Sequence, residues 1–261
     1  MEIPGSDRDR AVDDFELLVD LHKDAERQGP GGDPETRKAI ELAMLDPSAP
    51  LRIADIGCGT GASTLQLARA LNAKITAVDL IPDFIDVLMA NAAREGLSDK
   101  IFPLVCPMEN LPFDEGEYDV LWSEGAIYNI GFTKGITDWR RFLKPGGLLV
   151  VSELTWITGE RPEAIERHWE AEYPETGTAS SKIALLERSG YSPVGYFILP
   201  EHCWLENYYR PLQSRFQAFL ARHSHSDEAL AITRAENEEI ALYQQYKSWY
   251  SYGVYIARKS G

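Results

Sequence analysis

The spacing of apolar residues changes along the chain, and the change marks its organisation. Phe15, Leu17, Leu18, Val19 and Leu21 recur at helical intervals and predict one amphipathic helix. A breaker, Gln28-Gly29-Pro30-Gly31-Gly32, ends it. Asp33-Pro34-Glu35 then reads as an N-cap, a first-turn proline and a first-turn acid, predicting a second helix from Pro34 to Leu45. Asp46-Pro47-Ser48-Ala49-Pro50 stops that helix. Residues 1–12 read as disordered.

From Leu51 short β-branched runs alternate with helical ones. Strands are predicted at 51–56, 74–78, 100–105, 118–123 and 147–152, and helices at 62–71, 82–95 and 134–143. Lys144-Pro145-Gly146-Gly147 reads as a turn into the fifth strand. The last hundred residues add helices over 161–173, 181–189, 204–222 and 226–247, with strands at 192–199 and 251–258. Such alternation predicts an α/β fold: a mostly parallel sheet covered on both faces through right-handed crossovers. A chain of 261 residues fits one elaborated domain. Its parts are N-terminal helices over 1–49, a core over 50–155 and an elaboration over 156–261.

Candidate chemistry concentrates at the first strand–helix turn, Asp55-Ile56-Gly57-Cys58-Gly59-Thr60-Gly61. Glycines at alternate positions let the backbone turn sharply and keep side chains away from a ligand. Free N–H groups at the start of the next helix suit a carboxylate or phosphate. The same residues, with Asp79 about 20 positions on, satisfy the dinucleotide pattern, so spacing alone leaves two adenosine cofactors open. Asp55 would repel a pyrophosphate, the glycine at 61 is not demanded by that pattern, and a cofactor with an ammonium group suits an acidic mouth.

Composition narrows the partners. A hydrophobic fraction of 44% and a charged fraction of 26% are those of an ordinary soluble protein. No run approaches the roughly 18 apolar residues of a membrane span, and the N-terminus lacks the apolar centre of a secretory signal. The net charge of −15 argues against nucleic acid or an anionic membrane as partner. Cys58, Cys106 and Cys203 form no Cys-x-x-Cys pair, so neither a disulfide framework nor a metal site is indicated, and a cytoplasmic location is the simplest expectation.

Several segments together resemble one family. Asp55-Ile56-Gly57-Cys58-Gly59-Thr60-Gly61 resembles motif I of class I S-adenosylmethionine-dependent methyltransferases. Ala77-Val78-Asp79-Leu80 is similar to the acidic end of their second strand, and Met108-Glu109-Asn110-Leu111-Pro112-Phe113 to the segment closing over the adenine. Tyr118 to Ser123 resembles their fourth strand, and Leu143-Lys144-Pro145-Gly146-Gly147 the turn before the fifth. The ubiquinone/menaquinone-biosynthesis-like branch and its uncharacterised bacterial and archaeal relatives are the nearest in pattern. The resemblance implies a Rossmann-like doubly wound, seven-stranded sheet with an antiparallel last strand, S-adenosyl-L-methionine as cofactor and S-adenosyl-L-homocysteine as product. It also implies roles. Gly57, Gly59 and Gly61 admit the methionine part, with Cys58 filling the turn, while Asp55 holds the amino end, directly or through water. Asp79 accepts from the ribose hydroxyls, and Leu80 and Ile81 face Met108 across the adenine. Where many relatives carry an acid this chain has Pro107, which passes the adenine contact to Glu109 or to the main chain.

Glu124 follows the fourth strand on the sheet edge where ligands lie in open α/β folds. With Ser123 it is expected near the reactive methyl, holding a substrate amine or taking its proton, with Tyr128 as a further catalytic candidate; capping of a helix near Tyr128 is the structural alternative. The loop at Gln28 is expected either to fold over the cofactor or to serve as a plain linker. Trp156, His168, Trp169, Tyr173 and the cluster His202 to Arg210 read as core, and His22, His223 and His225 as surface. The expected partner is a small organic molecule, and an aromatic face in the C-terminal helices would suit a homodimer. Open alternatives are an NAD(P)-binding Rossmann oxidoreductase and a non-catalytic cofactor-binding protein. An arsenic-type enzyme would need more converging cysteines.

Overall fold

The computed structural model of the chain describes residues 7–261, with side chains from residue 14. Of the stretch expected to be disordered, residues 1–6 lie outside the described residues, whereas 7–12 belong to the first helix, α1 (Asp7–His22). In α2 (Asp33–Leu42) the N-cap is Gly32 rather than Asp33. The Asp33 carboxylate is drawn away by Arg27, whose Nη2 donates to Oδ1 at 3.1 Å.

The alternating core follows as read: β1 (Leu51–Ile56), α3 (Ala62–Ala70), β2 (Ala73–Asp79), α4 (Pro82–Glu95), β3 (Ile101–Val105), β4 (Tyr118–Ser123), α5 (Phe132–Trp139) and β5 (Leu143–Trp156). Beyond it come α6 (Glu163–Glu172), β6 (Gly177–Thr178), α7 (Ala179–Arg188) and β7 (Tyr191–Ile198). The chain closes with α8 (Glu201–Trp204), α9 (Arg210–Arg222), α10 (Asp227–Tyr246) and β8 (Tyr250–Lys259). The strand order is β3-β2-β1-β4-β5-β8-β7. β8 runs antiparallel to both of its neighbours. The expected seven-strand sheet is thus present, with the two-residue β6 added beside β5. A strand that short carries no hydrophobic period.

Two local expectations need correction. Lys144-Pro145-Gly146-Gly147 lies inside β5: the pairing with β4 shifts between Tyr118 and Val120, and Gly146 sits at φ +74°, so the turn signal reports a bulge within a strand. The single helix expected over 204–222 is divided by a π-helical turn, Leu205–Tyr209. Pro211 has no N–H for the carbonyl four residues back, and the wider turn accommodates that loss.

Side chains from both sheet faces are buried, as a doubly covered parallel sheet requires. Ile53, Ile75, Val120, Trp122 and Val150 pack on one side; Ala54, Ile56, Val78, Leu121 and Val151 pack on the other. Each fully buried Ile or Leu contributes about 1.5–3 kcal/mol. That rigid layer fixes the strand tips. Between β1 and β4 the chain order reverses, and there the carboxyl ends of the strands part to leave a crevice.

Candidate functional site

The crevice encloses about 380 Å³. The turn after β1 floors it, and the tips of β2 and β4 form its sides. The segment after α1 covers it, contributing Arg27, Gln28, Gly29 and Pro30, with Phe15 from α1 itself. Of the residues singled out from sequence, Gly57, Cys58, Gly59, Asp79, Leu80, Met108, Glu109, Glu124, Tyr128 and Gln28 line it. Asp55, Gly61 and Ser123 do not.

Those three have other places. Ser123 is fully buried and donates to the Ile56 carbonyl at 2.8 Å, tying β4 to β1. Gly61 sits at φ +93°, and a Cβ there would stand 2.1 Å from Leu88 Cδ1, so this glycine lets α3 approach α4. Asp55 is fully buried below the turn: its Oδ2 accepts from Ser63 Oγ at 2.7 Å and Thr64 Oγ1 at 2.6 Å. Its Oδ1 has no partner among the described residues. Burial raises its pKa to about 7, and the hydrogen bonds from Thr64 and Ser63 offset only part of that cost.

The turn's amides are less free than expected. Gly59 N donates to Asp79 Oδ2 at 2.8 Å, and Thr60 N donates to Gln28 Oε1 at 2.8 Å. Gln28 is bonded rather than a mobile linker: its Nε2 also donates to Thr60 Oγ1 at 2.9 Å and to the Ala25 carbonyl at 3.2 Å. A Cβ on Gly59 would stand 2.3 Å from Gln28 Oε1, so the bare backbone there is what admits this contact. Asp79, at the tip of β2, also accepts from Ile81 N at 3.0 Å. Burial raises its pKa, and the Ile81 and Gly59 amides pull it back. Each of its oxygens keeps a lone pair for a ligand hydroxyl. Leu80 is 58% exposed beside it, with Met108 and Glu109 on the opposite lip. Cys58 is a buried thiol held protonated by its surroundings.

Glu124 is the most heavily bonded carboxylate of the crevice. Its Oε2 accepts from Arg27 Nη1 at 3.1 Å; its Oε1 accepts from Thr36 Oγ1 at 2.8 Å and Trp122 Nε1 at 3.0 Å. It caps no helix. Arg27 is buried, and its pKa is raised: burial opposes the charge, and Glu124 and Asp33 more than compensate. Arg27, Thr36 and Trp122 were not singled out from sequence. Only the cation directly before Gln28-Gly29-Pro30 hinted at a latch.

Tyr128 is 42% exposed at the crevice mouth, edge-on to Tyr173 at 6.3 Å. Tyr173 accepts from Phe132 N at 3.1 Å, and Trp156 and Trp169 pack against Tyr250, as expected of core aromatics. His22 is not a surface residue: its ring is mostly buried and pairs with Glu236 at 3.4 Å.

Likeness to known proteins agrees with this geometry. Residues 53–147 match a family described as a methyltransferase domain. The chain is 25% identical over 193 residues to the O-methyltransferase rstn1 of Aspergillus nomiae, covering 69% of this chain and 86% of that protein. It is 32% identical over 110 residues to the ubiquinone/menaquinone biosynthesis C-methyltransferase UbiE of a Geobacter species, covering 41% of this chain and 47% of that one. Among solved structures, a S-adenosylmethionine-dependent methyltransferase of Geobacter sulfurreducens, in complex with S-adenosyl-L-homocysteine, superposes with a TM-score of 0.81 at 18% identity. That match spans 93% of this chain and 97% of the other, and shows the fold. An antiparallel β8 between β5 and β7 departs from the 3-2-1-4-5-6 order of dinucleotide-binding sheets. The segment over residues 53–147 is thus similar to a methyltransferase domain, and the strand order and the cleft agree with that fold.

Proposed function

We propose that the protein transfers the methyl group of S-adenosyl-L-methionine to a small organic acceptor in the crevice, leaving S-adenosyl-L-homocysteine. The observation that carries the reading is Asp79: a desolvated carboxylate at the tip of β2, oriented by the Gly59 and Ile81 amides, beside a turn without side chains. The residues present fit the cofactor. A Cβ on Gly57 would collide with Ala126 Cβ at 2.3 Å and narrow the crevice, and the buried Asp55 Oδ1 lacks a partner that an amino group would supply through water. Asp79 would hold the ribose hydroxyls, and Leu80, Ile81 and Met108 would flank the adenine.

When bound, the cofactor supplies a methyl carbon already activated by the sulfonium charge. What the chain must add is alignment and exclusion of water. The segment from Arg27 to Pro30 does the second, since it roofs the crevice and is bonded at both Thr60 and Glu124. Glu124, paired with the Arg27 guanidinium and accepting from Thr36 and Trp122, acts as a negative charge that anchors this roof. Tyr128 stays protonated, because burial raises its phenol, and it orients an acceptor by donating.

Calorimetry on purified protein tests the reading. S-adenosyl-L-homocysteine is expected to bind and NAD to give no heat. Asp79→Asn is expected to weaken the former by about 10- to 100-fold, the equivalent of about 1.5–3 kcal/mol for a hydrogen-bonded charged group. Binding of NAD instead, or an unchanged affinity in Asp79→Asn, overturns it.

A further inference from the structure

Three side chains with metal-binding chemistry meet between α2 and α8. Glu35 lies in the first turn of α2, and His202 and Cys203 are neighbours on α8. One ligand atom of each, a carboxylate oxygen, an imidazole nitrogen and a sulfur, lies within 4.8 Å of the other two. Glu35 Oε1 and His202 Nε2 stand 3.3 Å apart. Tetrahedral zinc, with bonds of about 2.0–2.3 Å, sets its ligand atoms about 3.3–3.8 Å from one another. The widest separation in the trio therefore has to close by no more than about 1.5 Å. Among the described residues this is the one such group of three. Cysteine spacing gave no sign of it, because one ligand is distant in sequence and the other two are adjacent.

An ion pair between Glu35 and His202 leaves part of the arrangement unexplained, since it engages Oε1 alone. Glu35 Oε2 is shut off from water and has no partner among the described residues, a costly state for a carboxylate oxygen. A Cβ on Gly32 would stand 2.2 Å from that oxygen. Gly32 sits at φ −171°, extended backbone open to any residue, so space for the carboxylate is what asks for glycine there. Cys203 is fully buried and forms no disulfide.

The charges balance around a divalent ion. A thiolate and a carboxylate bring two negative charges and the imidazole none, so the loaded site is neutral, as its burial requires. Mixed sulfur, nitrogen and oxygen ligands suit zinc, whereas magnesium and calcium take oxygen. The His202 side chain is 48% exposed, which gives an ion a path from solvent. None of the three residues lines the crevice, but they stand at the foot of its roof. The Cys203 carbonyl accepts from Gly31 N at 3.4 Å, and Thr36, next to Glu35, donates to Glu124.

We propose that Glu35, His202 and Cys203 bind one zinc-like divalent transition-metal ion, with water as the fourth ligand, and that the ion fastens α8 to α2 beneath the roof. As the metal–sulfur bond forms, the thiol proton passes to solvent and no group changes oxidation state. The site and its test are independent of the methyltransferase reading.

The full chain, stripped of metal by a chelator under reducing conditions, is titrated with Co2+ alone. One equivalent is expected to give a sulfur-to-cobalt charge-transfer band and the visible bands of tetrahedral cobalt, and Zn2+ is then expected to abolish both by displacement. Zn2+ should also raise the melting midpoint. Glu35→Gln and the half-exposed His202→Gln should each weaken Zn2+ binding at least tenfold, the loss that a missing outer partner alone can bring. Cys203→Ala should lose the charge-transfer band. Absence of that band in the wild type, its persistence in Cys203→Ala, or Zn2+ affinity unchanged in both other variants overturns the proposal. Melting of each metal-free variant is measured first; if the buried Cys203→Ala does not fold, the wild-type band and the His202→Gln titration decide.

Discussion

The Arg27 guanidinium donates to the Glu124 carboxylate at 3.1 Å, joining positions 97 residues apart across the mouth of the crevice. Neither side chain is free in solvent: 8% of Arg27 and 17% of Glu124 is exposed. Removing the cation therefore leaves a carboxylate largely shut away from water.

Arg27→Met is expected to cost about 2–3 kcal/mol in chemical denaturation, because it strands Glu124 rather than merely deleting a contact. Adding Glu124→Gln should return most of the stability while S-adenosyl-L-homocysteine affinity stays reduced, since the roof remains unlatched. A single variant as stable as the wild type would refute the latch.

Gly57→Ala and Gly61→Ala separate the two uses of the turn. At Gly61 the added methyl meets Leu88 Cδ1 at 2.1 Å; at Gly57 it meets Ala126 Cβ at 2.3 Å, inside the crevice. Gly61→Ala is expected to cost about 1–3 kcal/mol and to couple with Leu88→Ala in a double-mutant cycle by about 1 kcal/mol. Gly57→Ala should show no such coupling and should mainly weaken cofactor binding. Additive behaviour at Gly61 and Leu88 would contradict the packing role.

Asp55 gives a pH signature. Its pKa rises from 3.8 to about 7 on folding, mainly through burial, so between these values the native state holds the extra proton. The stability contributed by the neutral form is present in acid and is lost as pH climbs from about 4 to 7. The loss reaches up to about 1.4 kcal/mol per pH unit, then levels off. The stability difference between wild type and Asp55→Asn, measured by denaturant titration at each pH, should follow that course. A difference independent of pH would remove the assigned shift.

Local signals carried the sheet and the strand tips. β1, β2 and β4 are short apolar runs bounded by turn residues, so Asp79 and Glu124 fell at ligand-facing edges without knowledge of packing. What escaped was long-range. The partner of Glu124 is a cation near the N-terminus, and no periodicity connects residues 27 and 124. Glycines 57 and 61 read alike as turn formers, yet one faces the crevice and the other faces α4. Ser123 shares a strand end with Glu124, and the pleat turns it to the opposite side, against β1.

The roof is bolted at two points, in the turn after β1 at Thr60 through Gln28 and just past β4 at Glu124 through Arg27. Freeing either point, as Arg27→Met does, is expected to speed the dissociation of S-adenosyl-L-homocysteine.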